Sequence, residues 1–237
     1  MKKLLIANWK MQLSHEEACT WLEKELPSVH ETLSFTEHEL VICPSFTELP
    51  YATSLFEHLV WGAQDCGAEE KGAYTGDVSV LSLKDLEVRY TLIGHSERRR
   101  YHGETNELVR KKATLLLKHH IHPVLCIGEA ADQIPIRRSI LQEQLESVLP
   151  AFTSDDLCII AYEPVWSIGS GKVPSQEDLR IILELIRELL GDHKHLILYG
   201  GSVQEAQAKL FSPFVDGFLL GTSSLKSEEL KKIILSC

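Results

Sequence analysis

The stretch LCIIAYEPVWSIGSGKVPSQEDLRIILELIRELLGDHKHLILYGG, Leu157 to Gly201, decides the fold. It opens on a near-continuous apolar run, Leu157–Tyr162, and closes on another, Leu196–Tyr199. Runs of that length without polar alternation suit strands buried on both faces, as in parallel sheets. Between them Ser175–Leu190 carries a helical period, with Pro174 ahead of a Ser175/Asp178 start and Gly191 as a stop. The unit is strand, helix, strand, so the second strand returns parallel to the first through a right-handed crossover.

The same pattern extends in both directions. Apolar runs recur at Leu4–Ala7, Leu40–Cys43, Leu59–Ala63, Tyr90–Ile93, Pro123–Ile127 and Gly217–Leu220. Helical segments recur at Ser14–Leu26, where Ser14 and Glu17 have capping-box spacing, and at Thr105–His119. Eight strand–helix units in roughly 250 residues is the arithmetic of a closed (β/α)8 barrel. An open doubly wound sheet is the competing architecture, although no GxGxxG follows the first run, where Asn8-Trp9-Lys10 stands instead. With no linker or shift in composition, residues 1–237 read as one domain.

Composition sets the outer limits. The 237 residues are 44% hydrophobic and 24% charged, which excludes disorder, a collagen-like repeat and a coiled coil. Lys and Arg number 24 against 34 Asp and Glu, a net charge of −10. Such a surface repels phosphate backbones and disfavours a nucleic-acid partner. No run approaches the roughly 18 apolar residues of a membrane span. The N-terminal apolar stretch ends at Asn8-Trp9-Lys10, too soon for a signal peptide. The six cysteines show no CxxC pair, and Cys43, Cys126 and Cys158 sit inside apolar runs; reduced thiols and a cytoplasmic location are expected.

In a barrel the site lies where strands end. The residues just past the runs are Asn8 and Lys10, then His95, Ser96 and Glu97, then Glu163, then Gly200-Gly201-Ser202, then Gly221-Thr222-Ser223. Each alone reads as an ordinary strand-end charge, structural histidine, salt bridge or glycine turn. Together they form a functional set. After Glu163 comes a loop, Pro164, Val165, Trp166, Ser167, Ile168, Gly169, Ser170, Gly171, Lys172, Val173, Pro174, with rigid ends and a glycine-bearing tip. It reads as a lid whose apolar Val165, Trp166 and Ile168 exclude water when shut. A second long connection, Cys66–Ser79 (CGAEEKGAYTGDVS), suits a mobile surface loop or a partner-binding one equally.

At these residues the chain resembles the triosephosphate isomerase family. The matching stretches are Ala7–Met11 (ANWKM), Gly72–Ser79 (GAYTGDVS), Ile93–Arg99 (IGHSERR), Gly103–Thr105 (GET), Cys126–Glu129 (CIGE), Ala161–Lys172 (AYEPVWSIGSGK), Tyr199–Val203 (YGGSV) and Asp216–Gly221 (DGFLLG), in family order along the whole chain. The resemblance implies a single TIM barrel, interconversion of dihydroxyacetone phosphate and D-glyceraldehyde 3-phosphate in glycolysis and gluconeogenesis, and no metal or organic cofactor. It implies Glu163 as the base, His95 as a neutral electrophile, Lys10 and Asn8 as stabilisers of enediolate charge, and Glu97 as a supporting carboxylate. Phosphate would be held by backbone amides of Gly171, Ser202, Gly221 and Thr222. Thr75 and its loop would reach into a second subunit, implying a homodimer.

The chain departs from the family pattern at several points. Thr222 replaces a second glycine, Ser167 and Ser170 replace alanine and threonine in the lid, and Asp65 replaces asparagine. Ala130–Arg138 is shortened and lacks the family's arginine-bearing turn, so a trimmed outer helix away from the chemistry is expected there. Two other readings stand beside the isomerase: a phosphate-binding protein on this fold without turnover, and another barrel enzyme acting on a phosphorylated sugar.

Overall fold

The computed structural model describes residues 2–56, 59–168 and 171–237, so Gly169 and Ser170 of the expected lid lie outside the described residues. The described residues hold strands β1 (Leu4–Asn8), β2 (Glu39–Cys43), β3 (Val60–Ala63), β4 (Tyr90–Ile93), β5 (His122–Ile127), β6 (Cys158–Tyr162), β7 (His195–Tyr199) and β8 (Gly217–Leu220). Every neighbouring pair is parallel, and β8 returns to β1 with Ala7 opposite Leu220, closing the barrel. The open-sheet alternative is thereby excluded.

The apolar runs are continuous because the strands have two buried faces. Leu4, Ile6, Val41, Leu92, Val124, Cys126, Ile159, Ala161, Leu198 and Leu219 fill the barrel interior. Their strand neighbours Leu5, Ala7, Ile42, Ile93, Leu125, Ile160, Ile197 and Leu220 pack against the helices outside. Four of the six cysteines are buried, Cys43 and Cys126 in the barrel interior and Cys66 and Cys158 in the outer layer, and burial pushes their thiols upward.

The helices are α1 (His15–Lys24), α2 (Leu26–Ser34), α3 (Leu49–Leu55), α4 (Val80–Asp85), α5 (Ser96–His102), α6 (Asn106–Lys118), α7 (Arg137–Val148), α8 (Gln176–Leu190), α9 (Glu205–Phe211) and α10 (Ser227–Ser236). Ser14 caps α1 with both halves of the capping box formed. The helix stops at Lys24 instead of running to Leu26, because Pro27 starts α2 in its first turn. Ser175 caps α8 and Gly191 ends it at a φ of 57°. None of the described helices is long and apolar enough to cross a membrane.

Candidate active site

The inward alternation of the strands does not stop at their last apolar residue. Asn8 follows Leu4 and Ile6, and Glu163 follows Ile159 and Ala161, so both continue the interior face at its C-terminal rim. There a cavity of about 610 Å³ is lined by Asn8, Lys10, His95, Glu97, Glu163, Gly171, Ser202, Gly221 and Thr222. All five expected catalytic residues and all four expected phosphate-binding residues meet in this one space.

Lys10 has a φ of 53°, the left-handed region that a side chain occupies at a cost of about 1 kcal/mol. Three hydrogen bonds hold it there. Its amide donates to Asn8 Oδ1 (3.0 Å), and its carbonyl accepts from Gln64 Nε2 (2.9 Å) and Ser45 Oγ (3.3 Å). The ammonium consequently projects over the rim and pairs with Glu97 Oε1 at 2.7 Å. Gln64 and Ser45 carry no local sequence signal of this role, since both act across the fold.

His95 occupies the N-cap of α5, and its Nδ1 accepts from the Glu97 amide at 3.2 Å. A backbone N–H can point only at a lone pair, so Nδ1 is unprotonated and the proton of the neutral ring sits on Nε2. Nε2 lies 3.0 Å from Glu163 Oε1. Burial disfavours charge on His95, but the facing Glu163 carboxylate outweighs it and draws the histidine's pKa up. The Glu97 amide opposes that pull, because its fixed hydrogen needs the Nδ1 lone pair.

Glu163 is buried, and desolvation would raise its pKa. His95, the Ser96 amide (3.2 Å from Oε2) and Lys10 together hold it below the ordinary carboxylate value. Space for its side chain depends on Gly200, where a Cβ would stand 2.9 Å from Glu163 Cγ. Behind His95, Glu104 accepts from the Gly94 amide (3.0 Å) and pairs with the buried Lys112. Asp65 shares that ammonium at 2.7 Å and meets Arg98 at 2.9 Å, although burial outweighs both cations and draws its pKa up.

The segment after Glu163 is anchored at both sides of its tip. Val165 donates to the Glu129 carbonyl (3.0 Å) and Trp166 Nε1 to the Glu129 carboxylate (3.2 Å). Pro164, Val165, Trp166, Ser167 and Lys172 do not line the cavity, whereas Ile168 and Gly171 do. Ser167, which replaces alanine in the lid, is fully buried. Its hydroxyl donates to the Lys172 carbonyl (2.6 Å) and meets Tyr199 Oη (3.3 Å).

The shortened Ala130–Arg138 segment is a 3₁₀ turn, Ala131–Ile136, leading into α7. It is not remote from the site. Arg137 Nε donates to Glu129 at 2.8 Å, so the guanidinium supports the same buried carboxylate that holds Trp166. Thr222 opens a 3₁₀ turn, Thr222–Leu225, and its φ is negative, so the missing glycine leaves no strain. Thr75 lies away from the cavity, in an exposed loop whose base is closed by Gly67 N–H donating to Val78 O (2.8 Å). Among the described residues no three His, Cys, Asp or Glu side chains are grouped to hold a metal.

Comparison with known proteins agrees with this geometry. The family profile described as Triosephosphate isomerase matches residues 3–237. A triosephosphate isomerase from Thermus thermophilus is 40% identical over 255 aligned residues, spanning 99% of this chain and 98% of its own. One from Thermoanaerobacter sp. strain X514 is 37% identical over 250, spanning 99% of each. Another from Corynebacterium efficiens is 40% identical over 249, spanning 98% and 95%. With its barrel closed in the expected order and matched from end to end, the chain belongs to the triosephosphate isomerase family.

Proposed function

We propose that the chain interconverts dihydroxyacetone phosphate and D-glyceraldehyde 3-phosphate, serving glycolysis and gluconeogenesis in the cytoplasm. The observation that carries this reading is the contact of Glu163 with His95 at 3.0 Å beside Lys10 and Asn8 in one cavity. Glu163 takes a proton from the carbon next to the carbonyl, leaving an enediolate. His95 Nε2–H donates to one of its oxygens and moves protons between them. Lys10 and the Asn8 amide face the developing charge, and an aimed donor in such a site is worth about 3 kcal/mol of barrier. Glu97 orients the Lys10 ammonium. No metal or organic cofactor enters these steps.

The phosphate is gripped by amides of Gly171, Ser202, Gly221 and Thr222, an anion site that needs no arginine. In a chain with a net charge of −10, Lys10 supplies the local attraction the substrate requires. Pro164–Lys172 forms the lid that excludes water, which prevents loss of phosphate from the enediolate. Residues 1–237 act as one catalytic domain, and two chains pair through the Thr75 loop. Exposed Tyr74 on that loop and Met11, 94% exposed beside Lys10, support that pairing by offering apolar surface at the loop and at the rim of the site.

The test is a coupled assay on D-glyceraldehyde 3-phosphate with Glu163→Gln alongside. The base should account for 10²–10⁴-fold in kcat. A folded variant within tenfold of wild type would remove Glu163 from the role.

A further inference from the structure

Gly221 and Thr222 line the cavity at the start of the turn Thr222–Leu225, and that turn is built as one stiff piece. The Gly221 carbonyl accepts from both the Ser224 amide (2.9 Å) and the Ser224 hydroxyl (2.7 Å), and Ser224 is fully buried. A piece that stiff takes its aim from whatever holds its far end. Two side chains one helical turn apart, at the end of α1, do so. Trp21 Nε1 donates to the Leu225 carbonyl at 2.9 Å, and the Glu25 carboxylate accepts from the Ser227 hydroxyl just beyond.

Trp21 is itself fixed. Its ring meets that of Trp9 edge to face, with centroids 4.9 Å apart and planes at 75°, and both rings are buried. Trp9 stands between Asn8 and Lys10 in the chain. The indole of Trp21 thus joins the end of β1, which carries those two residues, to the turn at the opposite side of the cavity.

We infer that Trp21 is a positioning residue that holds the phosphate grip in register with Asn8 and Lys10. The inference rests on the reading of Gly221 and Thr222 as phosphate holders. Groups aimed at the reacting end of a substrate act only while its other end is correctly placed, and an error of about 1 Å can cost a hundredfold in rate. With the Leu225 carbonyl released, the turn samples other placements. Apparent phosphate affinity then falls by the fraction of time the grip is in place.

The test compares wild type, Trp21→Phe, Ser227→Ala and Thr222→Pro. Inorganic phosphate serves as a competitive inhibitor, and the substrates are D-glyceraldehyde 3-phosphate and D-glyceraldehyde, which lacks the phosphate. Trp21→Phe keeps a ring against Trp9 and loses only the donor to Leu225. Its Ki for phosphate should rise about fivefold, one net hydrogen bond's worth. Its kcat/KM on the phosphorylated substrate should fall at least as far, while kcat/KM on D-glyceraldehyde stays at the wild-type value. Ser227→Ala breaks the second hold and should raise Ki by less, which keeps the test open if Trp21→Phe folds poorly. Thr222→Pro deletes one of the gripping amides at the first position of a helical turn, where proline is tolerated. Given a raised Ki in Thr222→Pro, an unchanged Ki in folded Trp21→Phe would overturn the inference, and so would an equal loss on both substrates. Should Thr222→Pro leave Ki unchanged, the phosphate-holder reading fails and the inference goes with it.

Discussion

Nε2 of His95 and Oε1 of Glu163 stand 3.0 Å apart, both buried, with the opposite nitrogen of the imidazole tied to the Glu97 amide. The proposed base and electrophile therefore share a hydrogen bond before any substrate arrives. In the proposed reaction Glu163 leaves that bond and the Ser96 amide to reach a carbon acid. The relationship fixes which imidazole nitrogen carries the proton and makes each group's titration depend on the other.

The coupling can be read by NMR. Glu163 is the main group drawing the His95 pKa upward, so Glu163→Gln should lower it, as burial and Lys10 are then opposed only by the weaker pull of the Glu97 carboxylate. Equal His95 titrations in wild type and variant would show that the pair is not electrostatically coupled. For Glu163 the sign is the reverse. Its folded pKa lies below the ordinary value, so its stabilisation is present above about pH 4.5 and is lost as pH falls through the folded value.

Lys10 offers a separation of stability from activity. Lys10→Ala and Lys10→Gly both delete the ammonium and should both lose turnover by orders of magnitude. Alanine still occupies a φ of 53°, whereas glycine does so freely. Chemical denaturation should find Lys10→Gly more stable than Lys10→Ala by about 1 kcal/mol. Equal stabilities would mean that the backbone relaxes once the side chain is gone.

Glu129 is completely buried and accepts from Arg137, Tyr162 and Trp166. Arg137→Met strands much of that charge and should cost about 3 kcal/mol, near the low end for a broken buried pair because the guanidinium keeps some solvent. Adding Glu129→Gln should recover part of the loss. If the double variant is no better than the single one, Arg137 acts through packing rather than charge.

Thr75→Arg places a bulky charge on the loop proposed to join two chains. Sedimentation velocity should find wild type at twice the chain mass and the variant shifted toward one chain, with kcat falling in parallel. A monomeric variant at full activity would separate assembly from catalysis.

Much of this arrangement is legible in the amino-acid order because it follows from periodicity. Asn8 and Glu163 are the next inward positions after apolar pairs, and reading past each strand finds them without knowing the fold. His95 is found only by reading past its strand, since the alternation of Tyr90 and Leu92 leads to Gly94. What stays hidden depends on partners distant in sequence. Gln64 and Ser45 reach Lys10 only after β1, β2 and β3 are adjacent. Arg137 looks like a surface charge in a shortened connection until the start of α7 brings it to Glu129. Ser167 looks like an ordinary loop residue because nothing nearby announces Tyr199 or Ser202. Pro27 is the exception: a local signal, it divides a single expected helix into α1 and α2.

The seam between β1 and β8 bears on how the molecule is made. Leu4 to Ala7 pair with Gly217 to Leu220, so the first strand off the ribosome waits for the last before its second edge is covered. At any earlier point in synthesis the sheet has two bare ladders, at β1 and at the newest strand, each a template for a foreign strand. The ribosome adds about 5–20 residues per second, which leaves that exposure open for on the order of ten seconds or more. The pressure on a nascent chain of this topology is thus to keep β1 occupied or solvated until its C-terminal partner emerges.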